Sequence, residues 1–346
     1  MKATWLNNIV HRLTGQRGSG AAGGAQAAVY LSGSMVATVL ADVGEHLRVA
    51  MRADPMPSMT DLRDQVALQA EQLGLLKSRA KQRVNLVLAP ELYHLCTVER
   101  PDVPDSEVDE AVRWTLQEQV DYAVDTATLC TFPLPSSASR DRRMVFAAIM
   151  PTEFLRGIVQ QIHDARLELA SIDISELALR NLAWHCFPQP DQSVALLRLT
   201  ANSGVINVSR GDELYLARRV SGVPRTFSED GWSDFRERLL LQVQRSIDYY
   251  ESAMSQPPCN MLMVACTDDW TQRVCGHLSE LLPIPVRTIG EALSGELALT
   301  LFNPEHEDVD WDSLDPRQTN AISAAVPALG GVLRARIEAA DEANAA

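Results

Sequence analysis

The chain has 346 residues, 46% apolar and 22% charged, a balance that fits about two folded domains and excludes a fibrous or disordered chain. Its 31 Lys+Arg against 45 Asp+Glu leave a net charge of −14, which argues against nucleic acid as a partner, because neutralising phosphates takes a basic surface. No apolar run approaches the ~18 residues of a membrane span, and the opening MKATWLNNIVHRLTGQR lacks the continuous apolar core of a cleavable signal peptide.

Residues 1–25 read as a tail. Trp5, Leu6, Ile9, Val10 and Leu13 fall at helical spacing, the charges are Lys2, Arg12 and Arg17, and no acid is present. Such a short basic amphipathic stretch suits docking on a partner or on an anionic membrane surface. Gly18 to Gly24 then reads as a flexible linker.

A three-strand signal follows: AAVYLSGSM, VATVLADVG and EHLRVAMRA, with turns at Ser32-Gly33-Ser34 and Val43-Gly44. The pattern predicts a helix over 60–77 and a buried strand over 84–89. A helix is expected over 104–122, because Val108, Ala111, Val112, Thr115, Leu116 and Val120 lie on one stripe. Strands near 127–132 and 144–150 come next. Pro151 and Thr152 open a helix with Leu155, Ile158, Ile162 and Ala165 inward. A short strand at 171–174 leads into a helix at 175–186.

After FPQPDQ the pattern restarts with strands at 194–199, 204–210 and 213–220. A long helix is predicted over 233–254, with Leu240, Val243, Ile247, Tyr250 and Met254 as its buried stripe. A buried strand at 261–266, a helix at 270–282, a strand near Val286 and a helix at 318–337 complete this part. Each half thus opens with a three-stranded meander and continues helix, strand, helix. That repetition predicts two related α/β halves joined near residue 190, followed by a disordered tail at 338–346.

The six cysteines show no CxxC and no Cys/His metal spacing, so they read as reduced thiols of a cytoplasmic protein, with no metal site. His94, His163, His185 and His277 sit in separate elements and read as packed or surface side chains. Asp308-x-Asp310-x-Asp312 mimics half of a calcium loop, but Ser313 stands where Gly is needed and Thr319 where Glu is needed, which leaves a solvated acidic loop. Ser32-Gly33-Ser34 is not a P-loop, since no Gly-Lys-Ser/Thr follows.

Three stretches carry a family resemblance: PDVPDSEVDEAVRWTLQEQVDYAVDTATL, LLLQVQRSIDYYES and AISAAVPALGGVLRA, in that order. The chain resembles the PilM-like actin-fold proteins of type IV pilus assembly, most of all the branch that builds the mannose-sensitive haemagglutinin (MSHA) pilus. The resemblance implies an α/β, actin-like (ribonuclease H-like) two-domain fold. Its first domain would span 26–190, with a small α+β subdomain inserted at about 85–168, and its second 191–337, closed by the terminal helix. It also implies a cytoplasmic scaffold on the inner membrane that binds the short tail of a bitopic PilN-like protein and meets other platform components.

The actin-like fold holds ATP between its halves, with Gly-rich turns at the phosphates and acids near Mg²⁺. In this sequence the first turn reads Tyr30, Leu31, Ser32, Gly33, Ser34, with Tyr30 where the family has Asp and Ser32 where it has Gly. The second reads Arg198, Leu199, Thr200, Ala201, with Arg198 replacing the acid, and the adenosine turn reads Ala265, Cys266, Thr267, Asp268. The expectation is a degenerate nucleotide cleft, no catalysis and no cofactor, with ATP the one cofactor left to weigh. The alternatives are a nucleotide-binding actin-fold ATPase or kinase, which needs intact phosphate turns and a catalytic Asp, and the cytoplasmic part of a type II secretion platform protein.

Overall fold

The computed structural model describes residues 26–345, apart from 44–45, 78–80, 140–141, 202, 225–227, 268–269 and 303–307. The tail residues Trp5, Leu6, Ile9 and Leu13, and Gly44 of the second expected turn, lie outside the described residues.

The first half is built on the meander β1 (Ala27–Leu31), β2 (Met35–Val43) and β3 (Leu47–Pro55), to which β4 (Gln82–Leu88) adds parallel to β1. Strands β5 (His94–Glu99), β6 (Ala127–Pro133) and β7 (Met144–Pro151) form a separate sheet, and β8 (Leu167–Ile174) returns beside β4. The second half repeats the scheme with β9 (Ser193–Thr200), β10 (Ser203–Arg210), β11 (Glu213–Arg219), β12 (Met261–Cys266) and β13 (Val286–Thr288). Its order, β11-β10-β9-β12-β13, matches β3-β2-β1-β4-β8 in the first half. The first strand is central in each sheet, which is why AAVYL and SVALLRLT are apolar on both faces rather than alternating.

Seven helices are used below: α1 (Leu62–Gln72), α2 (Val108–Arg113), α3 (Thr152–Asp164), α4 (Ser175–Cys186), α5 (Glu229–Asp248), α6 (Thr271–Leu281) and α7 (Pro316–Ala345). Alternation along β1 sorts them into layers. Val29 and Leu31 share a core with Val66 of α1 and Ile158 of α3, on the outer face. Ala28 and Tyr30 share one with Leu182 of α4 and Leu329 of α7. The same split runs along β12, where Leu262 and Val264 join Leu239 of α5 and Val274 of α6, and Met261 and Met263 join the middle layer. The molecule is thus two sheets with α4 and α7 between them and two helices outside each.

Several boundaries differ from expectation for identifiable reasons. α1 stops at Gln72 because Gly74, at φ +75°, closes a left-handed cap. The 104–122 segment is no continuous helix: Asp109 accepts from Thr131 N and Oγ1, and Arg113 donates to the carbonyls of Val124 and Ala127. These clamps fix a two-turn helix on the β6 edge and force the chain back, leaving Trp114 exposed. β8 begins at Leu167, four residues early, and α5 begins at Glu229 and passes into a wide turn at Tyr249–Ala253.

Two corrections concern domain limits. β4 and β8 pair in the first sheet and α3 packs on its outer face, so the inserted unit lies within 89–151 rather than 85–168. It has its own core of Val98, Val108, Val112, Leu116, Leu129 and Ile149. The terminal helix does not close the second half: β14 (Thr300–Phe302) pairs with β3, and α7 lies on β1, β2, β3 and β4. No helix among the described residues is long and apolar enough to cross a membrane.

Candidate functional site

The β1–β2 turn is where the family resemblance places a phosphate against backbone N–H groups. Here those groups are already satisfied from within the chain. Ser32 Oγ accepts from Ser34 N at 3.3 Å and Met35 N at 3.0 Å, and Gly33 N donates to Glu91 Oε1 at 3.1 Å. A carboxylate therefore sits on the one glycine N–H of the turn.

The opposite side of the seam is formed by β9. Arg198 is 6% exposed and projects from β9 into the middle layer. Its Nη1 donates to Tyr30 Oη at 3.2 Å, its guanidinium carbon lies 4.9 Å from the Tyr30 ring centroid, and its Nη2 donates to Ala324 O of α7 at 3.3 Å. Burial raises the pKa of the Tyr30 hydroxyl, against the lowering effect of Arg198. Two residues far apart in sequence, both expected in the cleft, thus meet across the seam.

The remaining candidates divide. Thr200 Oγ1 donates to Ser203 O at 3.3 Å and only closes the β9–β10 turn. Ala265 faces the middle layer, but Cys266, one residue on, points to the opposite face among Leu199, Val274 and Leu278. Cys266, expected beside Ala265 in the cleft, is therefore not there: strand alternation turns it to the other face. Burial pushes its thiol up to about 12.

Sequence reasoning missed a buried polar cluster at the β8–α4 junction. Asp173 Oδ1 accepts from Ile174 N at 2.9 Å, and its Oδ2 is 3.7 Å from Arg334 Nη1 of α7. Glu176 accepts a short hydrogen bond from Tyr93 Oη, and Ser175 N donates to the same hydroxyl at 3.2 Å. Burial raises the Glu176 carboxyl above its ordinary range and raises Tyr93 well above its own. In sequence, Ser175-Glu176 reads as an ordinary acidic helix start; only the fold buries it.

Beside this cluster a small, partly open cleft with a cavity of about 40 Å³ lies between the ends of β4 and β8 and the inserted sheet. Leu88, Cys130, Ala148, Met150, Leu155 and Ile172 line it. Its polar side chains are engaged elsewhere: Tyr93 with Glu176, Asp173 with Ile174 N, and Thr128 Oγ1 with Thr152 Oγ1 at 2.9 Å. The surface offered to a visitor is thus apolar. Among the described residues no group of three or more His, Cys, Asp or Glu is placed to hold a metal ion.

No protein-family model and no curated protein matches the chain. Solved structures do resemble it. A PilM–PilN type IV pilus biogenesis complex superposes with a TM-score of 0.66 at 17% identity, covering 91% of this chain and 99% of that one. The cytoplasmic domain of EpsL, an inner-membrane component of the Vibrio cholerae type II secretion system, gives 0.45 at 12%, covering 69% and 81%. A Bacteroides thetaiotaomicron protein with an actin-like ATPase fold gives 0.46 at 8%, covering 81% and 95%. The PilM–PilN likeness, together with the strand order repeated in both sheets, shows that this chain has the two-half actin-like fold with an inserted three-stranded subdomain.

Proposed function

We propose that the chain is a docking scaffold of a type IV pilus assembly platform, of the MSHA (MshI) branch, and that it does not turn over ATP. It works in the cytoplasm, where it binds the cytoplasmic tail of a PilN-like bitopic membrane protein and meets other platform components. The observation that carries this is the fold shared with a PilM–PilN complex over 91% of the chain. The apolar cleft between the first sheet and the inserted sheet is the docking place, because an extended tail with apolar side chains gains burial there without uncovering polar groups.

The residues between the two halves do not fit a magnesium nucleotide. Glu91 holds the Gly33 N–H, and Arg198 donates from Nη1 to Tyr30, its Nε left without a partner, where metal-side acids would stand. The basic stretch at 1–17 adds a second tether, to the anionic inner-membrane surface, separated from the body by the Gly/Ala linker.

The test is a titration of a fluorescent peptide carrying the N-terminal cytoplasmic sequence of PilN. Saturable binding is expected, lost on Ala148→Arg, which puts a long cation into the cleft. Absence of binding, or equal binding by that variant, overturns the docking assignment.

A further inference from the structure

The wall of the cleft is held from behind by the second half. Arg219, the last residue of β11, donates from Nη2 to the carbonyl of Pro90 and, at 3.0 Å, to the carbonyl of Tyr93. Residues 89–93 are the first of the two connections between the first sheet and the inserted sheet, the other being Pro151 at the start of α3. The carbonyls of a single 3₁₀ turn have few partners of their own, so a guanidinium bridging two of them fixes that connection.

Tyr93 passes the constraint on. Its side chain lines the cleft while its hydroxyl is tied to Glu176 and Ser175 at the head of α4. Asn207 of β10 holds that head from the second half, donating from Nδ2 to Glu176 O at 3.0 Å. A second strap acts on the far side of the inserted sheet. Ser137 Oγ bonds Tyr215 Oη at 2.9 Å, and Gln256 Nε2 donates to Ser137 O at 2.7 Å. Arg219, Asn207, Tyr215 and Gln256 do not line the cleft, yet all four hold what does.

We infer that Arg219 is a positioning residue for partner docking: by bridging Pro90 and Tyr93 it sets the gap between the inserted sheet and the first sheet. This rests on the docking role of the apolar cleft. A residue of the half that carries no part of the cleft thereby controls its affinity. Any event that shifts the second half, such as binding of another platform component, would change partner affinity through the same brace.

The experiment has two arms on the full chain. In the first, the PilN peptide is titrated against wild type, Arg219→Ala and Arg219→Lys. About a tenfold loss is expected for Arg219→Ala, equivalent to about 1.4 kcal/mol, with partial rescue by Arg219→Lys, which can still donate to both carbonyls. In the second, hydrogen exchange is followed without any peptide. Exchange in 89–95 and 128–131 should quicken in Arg219→Ala, while β12 and α6, which make no contact with the brace, stay as protected as in wild type. A merely structural role would speed exchange throughout and would not be rescued by lysine. If Arg219→Ala does not fold, Tyr93→Phe, which removes only the hydroxyl tie, is used in both arms with the same expectation. Wild-type binding with an affinity within twofold for the variant, or unchanged exchange at 89–95, overturns the brace. If wild type itself fails to bind, the docking reading falls, and the exchange arm alone decides whether Arg219 holds the wall.

Discussion

Arg198 Nη1 donates to Tyr30 Oη at 3.2 Å across the seam between the two sheets, with the guanidinium over the phenol ring. They stand at the two positions where the family resemblance expects acids. Two facing carboxylates need a cation between them, whereas a guanidinium can donate to a phenol and lie over its ring with no ion between. Arg198→Met keeps an apolar stem but leaves Tyr30 Oη and Ala324 O without their donor, so denaturant unfolding should show a loss of about 1–3 kcal/mol. Tyr30→Phe keeps the π face and should cost less, about 1 kcal/mol. The reverse order of costs would mean that the arginine is not the joint.

The middle layer depends on a close helix crossing. A Cβ at Gly330 of α7 would lie 2.0 Å from Ala178 O of α4, and Asn181 Nδ2 donates to Gly330 O at 3.2 Å. Gly330→Ala must push the two helices apart, with an expected loss of about 3 kcal/mol or more. Gly276, on the outer helix α6, has open space around its missing Cβ. Gly276→Ala should therefore raise stability by up to about 1 kcal/mol. Similar midpoints for the two variants in thermal unfolding would contradict this packing.

Glu176 gives a pH signature. Its carboxyl is raised in the folded state by burial, so the native protein binds its proton more tightly than the unfolded chain, whose value is about 4.3. Its favourable contribution is complete below the unfolded value and is lost as pH rises through the folded one. Glu176→Gln keeps an acceptor for Tyr93 and has no charge to bury. The melting temperature of the variant relative to wild type should therefore climb as pH rises from about 4. Parallel curves for the two proteins would show that the carboxyl does not titrate in this way.

Much of the fold was legible because its signals are local. The two meanders, α3 with Leu155, Ile158 and Ile162 inward, and the apolar strand β12 follow from periodicity and turn residues alone. What was lost depends on distant partners. The 104–122 stripe is real at Val108, Val112 and Leu116, but the helix breaks because Thr131, Val124 and Ala127 capture Asp109 and Arg113. Strands apolar on both faces do not reveal which side chain looks into the cleft, and so Cys266 was grouped with Ala265. The apolar cleft left no mark because most of its lining residues read as core. Its brace pairs Arg219 with two backbone carbonyls, which carry no sequence signal.

The state of the seam between the halves separates a scaffold from a nucleotide-driven switch most directly. Calorimetric titration of the full chain with ATP and Mg²⁺, with phosphate release followed over hours, tests it. No magnesium-dependent heat is expected at micromolar nucleotide and no release above background, because Glu91 holds the turn and Arg198 lies against Tyr30. Micromolar binding that requires Mg²⁺, or turnover abolished by Ser34→Trp, would contradict it and restore a nucleotide-driven switch.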